Sequence, residues 1–277
     1  MIEVHDVTVE LPGAPRPALE SVRFRLDVGE NVALLGANGS GKTTLARLLN
    51  GTQLPTRGRV LVQGCDTADP QARLRVRRLV GLLFQDPDNQ FVTTTLEREI
   101  AFGLENLNTS VGKIQTLVRG ALDEFELERH RHAAPHEMSG GEKARLALAC
   151  VWVMGPGAIV LDETESLLDR RGGETLLRKI DELPPQTTVL RITTDAEVAA
   201  SCARVLLLHD GQLIADGPPD AVFAHMPVAA AERVGVPLVW RVSQELVRLG
   251  RLGRPTVSLD SVLTTLGLHE IDPGGAA

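Results

Sequence analysis

Apolar and polar positions along the chain repeat with two periods. Val4, Val7 and Val9 stand at near-alternate positions, and Phe24, Leu26 and Val28 alternate again before Gly29. Leu11-Pro12-Gly13-Ala14-Pro15-Arg16-Pro17 interrupts the pattern between them. Alternation broken by a Pro- and Gly-rich stretch predicts two antiparallel strands. Short apolar runs follow at residues 32–35, 80–84, 157–161 and 187–192. Runs of that length predict strands buried on both faces of a parallel sheet. Residues 58–63, closed by Gly64, predict one more strand. From 86 to 145 the apolar spacing becomes helical, with helices expected at 96–104, 114–127 and 142–154. Residues 205–208 and 212–215 flank His209-Asp210-Gly211, which predicts a hairpin with an Asp-Gly turn. The expected fold is therefore α/β: a mixed sheet core, an antiparallel β part and a helical insertion at about 86–145, all within residues 1–225.

Residues 226–277 form a separate helical segment. Leu238, Val242, Leu246 and Leu249 mark one apolar helix face. Val262, Leu263 and Leu266 mark another behind Ser258, a candidate cap. Two helices cannot form a core alone, so they are expected to pack on the main body or on a partner. Pro273-Gly274-Gly275-Ala276-Ala277 is expected to be a disordered tail.

The stretch with the most chemistry is Gly36-Ala37-Asn38-Gly39-Ser40-Gly41-Lys42-Thr43, spaced G-x-x-x-x-G-K-[ST]. It follows a strand and precedes a helix that places Leu45, Leu48 and Leu49 on one face. Gly36, Gly39 and Gly41 leave no Cβ in the way, so backbone N–H groups can wrap phosphate oxygens. The helix start adds unpaired donors and a partial positive charge. Lys42 supplies a cation for the β- and γ-phosphates, and the Thr43 hydroxyl can ligate Mg²⁺. The whole loop and Thr44 form the candidate nucleotide-binding set. Asp162-Glu163 ends the apolar run at 157–161. Asp162 there would hold Mg²⁺, and Glu163 would accept a proton from attacking water. Ser139-Gly140-Gly141 opens a helix and makes a second anion site. A second phosphate-binding helix start makes sense if two subunits sandwich each nucleotide.

Composition narrows the class. The chain has 277 residues, a formal charge of −7, 43% hydrophobic residues, three cysteines and no tyrosine. That net charge argues against general nucleic-acid binding. No apolar run reaches the roughly 18 residues of a membrane span. The start, Met1-Ile2-Glu3-Val4-His5-Asp6, has no signal-peptide pattern. Cys65, Cys150 and Cys202 show no metal or redox spacing. Arg73, Arg75, Arg77 and Arg78 read as a solvated helix face, and His130, His132 and His136 as ordinary loop histidines.

Taken together the motifs resemble the ATPase subunits of ABC transporters. The order is the phosphate loop, the Q-loop glutamine Gln85, the signature Met138-Ser139-Gly140-Gly141-Glu142, the Walker B strand ending in Asp162-Glu163, and a D-loop-like Ser166-Leu167-Leu168-Asp169. The resemblance covers about residues 1–225. It implies a head-to-tail dimer with ATP held between Lys42 of one chain and Ser139 of the other. It implies Glu163, Gln85 and Lys42 as the catalytic set, and Thr43, Gln85 and Asp162 around Mg²⁺. Phe84-Gln85-Asp86-Pro87-Asp88-Asn89-Gln90-Phe91-Val92, Ala101-Phe102-Gly103-Leu104-Glu105-Asn106 and Gly235-Val236-Pro237-Leu238 are similar to energy-coupling factor ATPases in particular. In that family the C-terminal segment serves dimerisation. The family implies a second ATPase subunit, here expected to be a different chain, a transmembrane coupling subunit and a substrate-binding membrane subunit. It implies uptake of a vitamin or transition-metal ion, and a peripheral place on the cytoplasmic face of the membrane.

Two positions depart from the family pattern. Leu11 stands where an adenine-stacking Tyr is usual, and Thr194 where a switch His is usual. Thr164-Glu165 is a smaller departure. The chain's own site is therefore expected to turn ATP over slowly, while Ser139-Gly140-Gly141 serves the partner's site. A non-hydrolysing regulatory partner and a soluble ABC ATPase are the alternatives.

Overall fold

The computed structural model describes residues 1–164 and 170–268. The chain begins with β1 (Ile2–Val9), β2 (Leu19–Leu26), β3 (Asn31–Leu35), α1 (Lys42–Leu49), β4 (Arg57–Val62) and β5 (Cys65–Asp66). Next come α2 (Arg73–Leu79), β6 (Val80–Leu83), α3 (Leu96–Asn106), α4 (Val111–Glu124), α5 (Gly140–Trp152) and β7 (Ala158–Asp162). Then follow α6 (Arg170–Asp181), β8 (Thr188–Thr193), α7 (Ala196–Ala200), β9 (Arg204–His209) and β10 (Gln212–Gly217). The chain closes with α8 (Pro219–Ala224), α9 (Val228–Val234), α10 (Leu238–Arg248) and α11 (Leu259–Leu266).

The first alternating pair forms as its pattern predicts. β1 and β2 are antiparallel, with Val4 opposite Phe24 and Val9 opposite Leu19. They extend to a four-stranded sheet in the order β2-β1-β4-β5. Val28 falls outside β2 and is 61% exposed. The Glu30 carboxylate accepts the Asp27 N–H there and turns the chain toward β3. The apolar runs form the second sheet, in the order β10-β9-β3-β8-β7-β6. β9, β3, β8, β7 and β6 are mutually parallel, and β10 folds back on β9 through the Asp210-Gly211 turn. Parallel strands put their C-terminal ends on one edge, where ligands of open α/β sheets bind. Residues 36, 84, 163 and 194 all follow such ends.

Helix α1 buries Leu45, Ala46, Leu48 and Leu49 in a core shared by both sheets. Full burial of each leucine contributes about 1.5–3 kcal/mol. On the far face of the parallel sheet α3, α4 and α5 pack over Ile159, Leu161 and Val189, with Phe125 edge-on to Trp152 at 5.7 Å. α5 opens the helical layer at Ser139 and ends against the sheet. The C-terminal helices join a third cluster, in which Trp240 of α10 packs near Phe223 of α8 over Leu35, Val205 and Leu207. The Asp220 carboxylate ties the segment before α11 down, accepting from Val257 N at 2.7 Å and Thr256 Oγ1 at 3.0 Å. Helices α6 to α9 are additions to the sequence reading. Residues 273–277, expected to be a tail, and Ser166-Leu167-Leu168-Asp169 lie outside the described residues.

Candidate functional site

The loop from β3 to α1 is shaped by two glycines. A Cβ at Gly36 would lie 2.5 Å from the Leu208 carbonyl and from Ser40 Oγ. Gly41 has φ +104°, and a Cβ on it would lie 2.3 Å from the Ala18 carbonyl. Only glycine fits either place without moving backbone. Gly41 is also the N-cap of α1 and supplies no side-chain acceptor, so the first N–H groups of the helix keep their donors. No acidic residue stands in the first turn. Ser40 Oγ is buried without a hydrogen-bond partner.

Lys42 curls back over the loop. Its side chain is only 4% exposed, and Nζ donates to the Ala37 carbonyl at 3.0 Å. Nζ also pairs with Glu163 Oε1 at 3.0 Å. Gln85 Nε2 donates to the other oxygen of Glu163 at 3.2 Å. The three residues expected to be catalytic therefore meet in one cluster. Glu163 itself has φ +52°, held by its N–H on the Ile192 carbonyl at 3.0 Å. A left-handed backbone at a non-glycine residue costs on the order of 1 kcal/mol or more, and such strain concentrates at functional sites.

Asp162 sits beneath this cluster, 2% exposed, with Oδ1 buried and unpartnered. Burial pushes its carboxyl above the ordinary range. The Thr43 hydroxyl bond pulls it down, Glu163 pushes it up, and Lys42 and Arg47 pull it down again. A buried carboxylate with an orphan oxygen beside a hydroxyl fits a hard divalent cation, which binds oxygen ligands. Thr43, Asp162, Gln85, Arg47 and Asn89 line one cavity of about 320 Å³. Lys42, Thr43, Thr44, Asn38, Gly39, Gly41, Gln85 and Glu163 line another of about 350 Å³, which Leu11 and Ala18 close. Thr194 lines a third, of about 400 Å³, with Glu163, Thr164 and Arg191.

Ser139 is elsewhere. It caps α5 and lines neither cavity at the phosphate loop. Its Oγ donates to Glu142 Oε2 at 2.8 Å, and its N–H reaches the same oxygen at 3.0 Å. These two bonds, with Arg129 and His130 alongside, hold the Glu142 carboxyl down to about 2. His130 Nε2 lies 2.9 Å from Glu142 Oε1. Among the described residues no group of three His, Cys, Asp or Glu side chains clusters as a metal site.

Sequence reasoning did not find Arg191 or Ala18. Arg191 is the lone charged residue in β8 and is 8% exposed, a visible oddity in an apolar run. Ala18 acts through its carbonyl, which carries no sequence signal.

A glycine-shaped strand–loop–helix with an acidic strand end beside it defines a P-loop nucleotide-binding protein. The ABC transporter family matches residues 19–166. The energy-coupling factor transporter ATP-binding protein EcfA of Syntrophomonas wolfei is 39% identical over 225 residues, covering 80% of this chain and 82% of that protein. EcfA1 of Clostridium novyi is 33% identical, covering 96% and 97%. The structure of cbiO1 from Clostridium perfringens, part of the ABC transporter complex cbiONQ, superposes with a TM-score of 0.71 at 29% identity, covering 90% of this chain and 96% of that one. The chain belongs to the ATP-binding subunits of ABC transporters, in the energy-coupling factor group.

Proposed function

We propose that this chain binds and hydrolyses ATP as one half of a head-to-tail ATPase dimer that drives an energy-coupling factor importer. The observation that carries the reading is the meeting of Lys42, Glu163 and Gln85 at the open start of α1. Backbone donors of residues 36–44 receive the phosphates, and Lys42 neutralises the β- and γ-oxygens. Water adds to the γ-phosphorus as the bond to the β–γ bridging oxygen breaks. Glu163 takes the water's proton, and Gln85 holds Glu163 in place. Thr43, Asp162 and Gln85 are the residues that would hold Mg²⁺, which supplies charge neutralisation across the phosphates. Ser139, Gly140 and Gly141 serve the nucleotide on the partner ATPase. The dimer is proposed to sit at the cytoplasmic face of the membrane. A transmembrane coupling subunit and a substrate-binding membrane subunit complete it, for uptake of a vitamin or transition-metal ion.

Leu11 and Thr194 weaken the chain's own site. Leu11 flanks the cavity over the loop without an aromatic face, a loss of about 1 kcal/mol in stacking. Thr194 is short and neutral where an imidazole would reach both phosphate and water. Co-purification from gently solubilised membranes tests the assembly: a second, different ATPase and a polytopic protein are expected. ATP turnover of that complex tests the asymmetry. Thr194→His should raise it several-fold, and unchanged turnover would refute a weakened site.

A further inference from the structure

The basic stretch that reads as a solvated face is exposed in the structure. Helix α2 turns Val76 into the core, where its Cγ1 lies 3.6 Å from a Cβ placed on Gly51 at the end of α1. Ala72 and Leu79 pack beside it. The rest of the helix faces out, with Arg73, Arg75, Arg77 and Arg78 exposed. Among the described residues no ion pair or side-chain hydrogen bond reaches any of the four, whereas Arg23, Arg129, Arg204 and Arg248 each meet a carboxylate. The nearby acids are engaged in turns: Asp66 accepts from Ala68 N and Asp69 from Gln71 N. Leu74, 61% exposed, stands among the arginines. A chain of formal charge −7 thus concentrates unpaired arginines around one exposed leucine.

We propose that α2 is a lipid contact of this subunit, its arginine face docking on anionic headgroups and Leu74 entering the headgroup layer. The proposal rests on the membrane-face location given above. The chemistry is that of basic amphipathic segments on anionic bilayers: guanidinium groups pair with phosphate oxygens, and an apolar side chain adds shallow burial. Each arginine near such a surface raises partitioning about fivefold.

The test uses the full chain and protein-free vesicles, one set of phosphatidylcholine alone and one with a third phosphatidylglycerol. Flotation at low salt should bring the chain up with the anionic vesicles and not the neutral ones. Binding should fall steeply near 1 M salt, where screening reaches about 3 Å. Arg73→Gln with Arg75→Gln should lower partitioning about 25-fold. Arg→Lys at all four positions should keep most of it, and ATP turnover should be unchanged in every variant. Equal binding to neutral vesicles, no binding to anionic ones, or full binding after all four arginines become Gln would overturn the proposal. Capture of single-stranded RNA without vesicle binding would overturn it in favour of a nucleic-acid surface. Because the vesicles carry no protein, failure here leaves the transporter-subunit reading to its own co-purification test.

Discussion

Replacing Glu163 with Gln separates two roles of one carboxylate. Its Oε1 balances the Lys42 ammonium at 3.0 Å, with side chains 4% and 13% exposed for Lys42 and Glu163. Removing one partner of a buried pair costs about 3–5 kcal/mol, because the other charge is left uncompensated. Gln keeps a neutral acceptor of the same reach, and the Ala37 carbonyl still accepts from Lys42. The loss should therefore be nearer 2 kcal/mol. For a chain of this size that lowers the melting temperature by about 4–8 °C without nucleotide. ATP changes the sign. Lys42 no longer has to leave a carboxylate to meet the phosphates, so the same 2 kcal/mol returns as affinity, about 30-fold. ATP should then raise the melting temperature of Glu163→Gln more than that of the parent chain. Turnover should fall by 10²-fold or more, since the proton acceptor is gone. The assays are thermal melts with and without ATP, a binding titration and phosphate release. An unchanged nucleotide-free melt together with unchanged ATP affinity would refute the competition between Glu163 and phosphate for Lys42.

Three further outcomes follow from the same geometry. Gly41→Ala forces a Cβ to 2.3 Å from the Ala18 carbonyl at φ +104°, whereas a Cβ at Gly39 meets nothing within 4 Å; denaturant unfolding should show a loss of about 2–4 kcal/mol for the first and about 1 kcal/mol for the second. Glu142 has its carboxyl lowered to about 2, chiefly by the Ser139 hydroxyl, so its stabilisation is present above the ordinary value of 4.5 and disappears as pH falls toward 2; the gap in stability between the parent chain and Glu142→Ala should be constant from pH 6 to 8 and close in acid. Asp162→Asn removes a buried carboxyl that burial already pushes up, so melts in chelator should be unchanged or higher while Mg²⁺-dependent turnover drops about 100-fold or more.

Legibility from sequence followed period and packing context. The four apolar runs of the parallel sheet lie within a residue or so of their strands, since a strand buried on both faces needs an unbroken run. Val28 misled because alternation continues past Leu26, while the Glu30 carboxylate on Asp27 N–H already turns the chain. Helix α1 begins at Lys42, three residues ahead of Leu45, the first residue of its apolar face, because Gly41 rather than a polar side chain is its cap. α6 was not legible: Gly172 and Gly173 stand in its first turn, and glycine has the lowest helix propensity short of proline. In the site, residue types were readable and their mutual contacts were not. The Lys42–Glu163–Gln85 cluster joins positions far apart in the chain, and the left-handed turn at Glu163 follows from the Ile192 carbonyl, not from its own identity. Arg191 was readable as an oddity, but its place beside Glu163 depends on β8 lying next to β7.

The distribution of departures bears on whether the partner is a second copy. Leu11 and Thr194 both line cavities that contain Glu163, and Ser139 lines neither cavity at the phosphate loop. In a head-to-tail dimer each chain gives its phosphate loop to one nucleotide and its α5 start to the other. A dimer of this chain alone would place Leu11 and Thr194 at both nucleotides and weaken both. Pairing with a different ATPase confines them to one, and the intact α5 start then meets the stronger site. The electrostatics at that start are compatible with the role. Glu142 brings a negative charge to the helix N-terminus, but Arg129 lies 2.9 Å from its Oε1 and offsets it. The N–H donors of Gly140 and Gly141 remain free of side-chain caps, since the Ser139 Oγ takes only the Glu142 N–H. An incoming γ-phosphate thus meets backbone donors, and the Ser139 hydroxyl joins them on leaving Glu142 Oε2. On the proposed pairing that is the chemistry a donated half-site requires, and a chain whose own site is weakened would still be necessary to its partner's turnover.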